Sequence, residues 1–110
     1  MLEERLAALE FYMELVTKQL DQGKFPLDYL IIRRKLTRED VQFLFHTCEE
    51  LSKEMEKQKA EGFVTFAPLL QKFQQDLHPN LDWMETIDAL IKQDKYVPLM
   101  SAFLKLIKKK

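Results

Sequence analysis

The residues with the most chemical potential lie near the middle of the chain: His46, Cys48, Glu49 and Glu50. On a helix, His46 and Glu50 stand four apart and Glu49 three from His46, so all three could turn toward one metal ion. Bundle metal centres draw Glu and Glu-x-x-His sets from several helices. Here the order is reversed, and the sequence offers no second such pair. His78, the other histidine, adjoins Pro79 and Asn80 in a helix-breaking stretch. Cys48 falls between Leu44 and Leu51 on an apolar stripe, where a cysteine behaves as a small buried hydrophobe and not as a thiolate. His46 points roughly 160° away from it round a helix of 3.6 residues per turn, so it is no base for that thiol. Glu85 and Asp88 read as ordinary solvated helix surface. No catalytic residue, metal or cofactor is expected, and the chain reads as non-enzymatic.

Gly62 invites a calcium alignment at the sixth position of a twelve-residue loop. The ligand positions would then hold Lys57, Lys59, Glu61 and Pro68. Two lysines and a proline stand where oxygen ligands are needed, so such a loop would repel the ion. The last candidate chemistry is phosphate binding. Arg33, Arg34, Lys35 and Arg38 surround a short break between two helical stretches, the outline of a helix-turn-helix over residues 26–60. Lys105, Lys108, Lys109 and Lys110 could add phosphate contacts. The helix that would read bases opens with Glu39 and Asp40, whereas reading helices offer Arg, Lys, Asn or Gln there. Nucleic-acid binding through Arg33, Arg34, Lys35, Arg38, Lys108 and Lys109 therefore stands as the alternative reading.

Composition supports this order. The 110 residues suit a single helical domain over 1–110, with only two glycines to serve turns or phosphate loops. The net charge of −1 conceals blocks: −3 over residues 1–23, +3 over 24–36, −3 over 37–62, −2 over 63–95 and +4 over 96–110. Attraction between such blocks, within or between chains, is the plain consequence. One cysteine excludes an internal disulfide. The acidic start is unlike a secretion signal, and no apolar run nears the ~20 residues of a membrane span. A reduced, cytoplasmic setting is expected, with no membrane partner.

The elements that must position these groups are helices. Leu2, Leu6, Leu9, Met13, Val16 and Leu20 recur at steps of 4, 3, 4, 3 and 4, the heptad rhythm of a coiled-coil seam, and predict a helix over 2–21 stopped by Gly23. Phe11 and Tyr12 lie off that seam and predict a second face buried in the chain's own core. Pro26 opens a short helix that is apolar nearly all round and therefore central, with its basic trio in the last turn. Thr37 with Asp40 predicts a capping box for a helix to residue 60, with Val41, Leu44, Cys48, Leu51 and Met55 inward. Thr65 is expected to cap a fourth helix lined by Leu69, Leu70, Phe73 and Leu77. A fifth spans 82–93 with Met84, Ile87, Leu90 and Ile91 inward. A sixth spans 97–108 with Val97, Met100, Phe103, Leu104 and Ile107 inward.

The leucine-rich opening helix, Lys24-Phe25-Pro26 followed by Tyr29-Leu30-Ile31, Leu36-Thr37, and Gly62-Phe63-Val64-Thr65-Phe66 together resemble the YhaI-like family, small uncharacterised helical proteins of Bacillus-type bacteria. The resemblance runs over most of the chain. It implies an all-α fold built as an intertwined or paired dimer, and it brings no activity, cofactor or catalytic residue. The reading is thus an all-α bundle of five to six helices with a long heptad-patterned N-terminal helix. It is expected to act as a homodimeric structural or protein-interaction module, joined through Leu6, Leu9, Met13, Val16 and Leu20. A second copy is the expected partner, and another protein is a further candidate.

Overall fold

Local signals set the helix ends before any packing is considered. The computed structural model describes residues 1–108 and contains α1 (Leu2–Gln19), α2 (Pro26–Arg33), α3 (Arg38–Ala60), α4 (Phe66–Asp76), α5 (Trp83–Lys92) and α6 (Val97–Lys108). No strand occurs among the described residues, and the fold is all-α. The Thr37 hydroxyl accepts from the Asp40 N–H, and the Asp40 carboxylate accepts from the Thr37 N–H, at 3.1 and 2.9 Å. This reciprocal pair satisfies two amides that a helix start leaves open. Asp82 caps α5 in the same sense by accepting from the Glu85 N–H.

The C-terminal ends of α2, α3 and α5 share one device. After α3, Gly62 turns left-handed (φ 87°), its N–H donates to the Lys59 carbonyl, and the Phe63 N–H reaches back to that of Gln58. After α2 and α5 the same bonds form with Lys35 (φ 58°) and Asp94 (φ 57°) in the left-handed position. These are Schellman closures, two of them made without the glycine that such a backbone favours.

The core lies among α2 to α6. Leu44, Cys48, Leu51 and Met55 of α3 meet Leu69 and Phe73 of α4, Ile87, Ala89 and Leu90 of α5, and Leu99, Met100 and Phe103 of α6. Phe73 and Phe103 sit with ring centroids 5.5 Å apart. α2 lies against α5, contributing Leu27 and Leu30. Polar groups of α5 and its approach hold α2 at both ends. At its start, the Gln93 side-chain oxygen accepts from the Leu27 and Asp28 N–H groups at 2.8 and 3.2 Å, while the Gln93 amide donates to Asp28. At its finish, Glu85 takes both Arg33 and Arg34, and Asn80 donates to the Arg34 carbonyl.

Several expectations need correction. α1 buries no residue at all, and Phe11 and Tyr12 are each 54% exposed, so no second face of α1 closes the core. Those rings lie near each other, 6.2 Å between centroids. α2 is not central: only Leu27 and Leu30 are buried, and Ile32 faces out, because a single neighbour covers one side of it. α1 ends four residues before Gly23, at an extended Leu20, and the chain then turns on the Asp21 carboxylate, which accepts from Gly23 and Lys24. Thr65 precedes α4 but makes no side-chain cap; its N–H donates to Gln58. Met84 is exposed, and Thr86 and Ala89 fill the inner face of α5 in its place, small enough to lie against neighbours on two sides. Leu99, buried on α6, was absent from the inward set predicted for that helix.

Candidate functional site

α1 is where sequence and packing disagree most. Its heptad stripe is what a helix uses to cover an apolar face. Yet Leu2, Leu6, Leu9, Phe11, Tyr12, Met13, Leu15 and Val16 stay 44–69% exposed. The helix stretches the molecule to 60 × 25 × 22 Å, with a radius of gyration of 16.7 Å. A compact chain of this length would have about 13 Å. Most helical stability in proteins comes from tertiary packing of an amphipathic face, and α1 has no residue buried.

One side of α1 does face the rest of the chain, across an open groove of about 770 Å³. Leu6, Leu9, Glu10, Met13, Glu14, Thr17 and Lys18 form one wall, and Ile32, Arg33 and Lys35 at the end of α2 form the other. The chain turns at Asp21, and the end of α2 comes to face α1 across the groove. Of the five residues predicted for self-association, Leu6, Leu9 and Met13 line this groove together. Val16 is 58% exposed outside its lining, and Leu20 is the half-buried cap beyond the helix. Ile32 was not among the predicted contacts. It sits inside the apolar run Tyr29-Leu30-Ile31-Ile32, and only the tertiary position of α2 shows that it faces outward.

The basic residues do not form one surface. Arg33 and Arg34 both bind Glu85, at 2.9 and 3.3 Å, and Arg33 also lies over the Tyr29 ring at 5.6 Å. Lys35 and Arg38 are exposed on either side of the turn into α3. Lys108 is exposed at the far end of α6, and Lys109 and Lys110 lie outside the described residues. The first turn of α3 presents Glu39 and Asp40. Hydrogen bonding from the Thr37 backbone holds the Asp40 carboxyl below the usual range, with the Thr37 hydroxyl and nearby His78 adding to that and slight burial opposing it. It is therefore an anion at neutral pH, placed where a phosphate would have to approach.

The candidate chemical groups of α3 are apart. Cys48 is fully buried, and burial, reinforced by Glu49, pushes its thiol up to about 12. It stays a thiol at any physiological pH and packs as a hydrophobe. His46 is exposed, and among the described residues no three His, Cys, Asp or Glu side chains come together as a metal donor set. His78 meets Asp40 at 3.6 Å and accepts from the Asn80 N–H, a contact that ties the loop after α4 to the start of α3. No helix among the described residues is long and apolar enough to cross a membrane.

Fold and surface together define a class: an all-α bundle carrying its N-terminal helix outside the core. Residues 1–108 match the family described as protein of unknown function, DUF1878, and the chain belongs to that family.

Proposed function

We propose that the protein is a non-catalytic interaction module that works as a homodimer, joined through α1. The observation that supports this is the helix that buries nothing while exposing eight large apolar side chains. A second copy of the same stripe is the simplest cover for it, because heptad seams pair with heptad seams. Half exposure leaves Leu6, Leu9, Met13 and Val16 about half of the roughly 1.5–3 kcal/mol that full burial gives each. Over both copies this amounts to about 6–12 kcal/mol, similar to the ~4–15 kcal/mol that association costs. The seam alone therefore roughly offsets the cost of association, and contact beyond it would supply the net affinity.

The nucleic-acid alternative has less support. Two of its four central cations face Glu85, and the helix it would insert begins with carboxylates. Its signature would be an affinity for duplex DNA that falls steeply with salt.

Sedimentation equilibrium with thermal melts across a hundredfold range of concentration tests the proposal. A dimer should dissociate on dilution, and its melting temperature should fall with it. A monomer whose melting temperature ignores concentration would end this reading.

A further inference from the structure

We infer that the groove between α1 and the basic end of α2 is the seat for α1 of a second copy, running antiparallel to the first. This rests on the self-association reading and adds to it the place and the direction of docking.

The shape fits a helix. The groove follows α1 from Leu6 to Lys18, about 18 Å at 1.5 Å per residue, and is open along that length. Small-molecule sites instead enclose most of their ligand's surface. Its apolar surface is Leu6, Leu9 and Met13 on one wall and Ile32 on the other. A helix lying there would cover the seam of α1 and touch α2 at once, which supplies contact beyond the seam itself.

The charge fits this particular helix. α1 carries Glu3, Glu4, Glu10 and Glu14 against Arg5 and Lys18, a net of −2. The α2 wall presents Arg33 and Lys35. Arg33 is tied to Glu85 and the α1 wall itself holds Glu10, Glu14 and Lys18, so the opposite charge offered to an acidic second α1 is chiefly that of exposed Lys35.

The direction follows from the seam. Its apolar positions mirror about residue 11: Leu2 falls opposite the partner's Leu20, Leu6 opposite the partner's Val16, and Leu9 opposite the partner's Met13. Antiparallel pairing also brings the acidic first turn, Glu3 and Glu4, to the end of the partner that holds Lys18, and it opposes the two helix dipoles. It sets Glu10 near its own copy, where Lys35 in the same groove offsets part of the repulsion. A parallel pair would gain Arg5 against Glu10 across the seam. It would also put Glu3 and Glu4 beside their copies and align the dipoles.

Two measurements test this on the full chain. Chains carrying Leu2→Cys and Leu20→Cys are mixed and oxidised under native conditions; buried Cys48 stays out of the reaction. The expected product is a disulfide between the two different chains. A predominant Leu2→Cys homodimer would overturn the antiparallel direction. Separately, Lys35→Glu alters an exposed residue and leaves the core intact, with Ile32→Ser as a second probe of the same wall. Each is expected to weaken the dimer about tenfold or more in sedimentation equilibrium, with unchanged helical content. A dimer that ignores both variants would overturn the seat but leave self-association standing. A wild-type chain that is monomeric at every concentration would overturn both.

Discussion

α1 and α3 carry the same rhythm and meet opposite fates. In α3, Leu44, Cys48, Leu51 and Met55 recur at steps of 4, 3 and 4, and all four are buried. In α1, Leu6, Leu9, Met13 and Val16 recur at 3, 4 and 3, and all four are exposed. The pattern states that a face needs covering and leaves open what covers it. α3 finds α4 and α6 within its own chain. α1 has only the edge of α2 beside it, and a groove where a neighbour would sit.

The sharpest way to separate the two helices is to damage the core and the seam in turn. Phe73→Ala empties a fully buried site between α4 and α6, and it should cost about 3–5 kcal/mol at every protein concentration. Leu9→Asp should instead abolish the concentration dependence of melting and leave a folded monomer, read by sedimentation and circular dichroism. If Leu9→Asp unfolds the chain as Phe73→Ala does, α1 belongs with α3 after all.

A smaller effect is expected at the polar link that holds α2 in the bundle. Gln93→Ala leaves the Leu27 and Asp28 amides without their acceptor and should cost about 1–2 kcal/mol in denaturant melts. Because α2 forms one wall of the groove, the same variant should also weaken the dimer.

Asp94→Gly works the other way. A left-handed backbone costs a side-chain-bearing residue roughly 1–2 kcal/mol, partly offset by glycine's greater freedom when unfolded, so a gain of about 0.5–1 kcal/mol is expected. It should appear as a rise in melting temperature in thermal denaturation.

The smallest effect concerns pH. Asp40 is held below the usual carboxyl range, so its capping bonds add stability above the ordinary carboxylate pKa of about 3.9. That contribution is lost as pH falls through the lower folded value. Asp40→Asn should therefore be less stable than wild type at neutral pH, and the gap should close in acid.

What could be read from the sequence was what neighbours in sequence decide. Thr37 with Asp40 is a contact over three residues, and it forms as the spacing requires. Gly62 marks the end of α3 because its backbone turn is local. Lys35 adopts the same turn with nothing in its chemistry to announce it, and Asp94 does so with only a short polar side chain that tolerates the left-handed region. Gln93 looks like surface until the fold brings it to the start of α2, 66 residues away in the chain. Phe11 and Tyr12 were assigned to a core because aromatic residues are usually covered, and the cover within one chain is missing. The groove was invisible for the same reason: it exists only once the end of α2 comes to face α1.

The Gln93 link also bears on the order of folding. Closing a loop from residue 27 to residue 93 costs more chain entropy than joining α3 to α4 or α5 to α6 across their short connections. α2 is thus the second helix to be synthesised and among the last to be fixed, since its anchor is made near the end of the chain. Until that residue has emerged from the ribosome, α2 lacks the acceptor that holds its first turn.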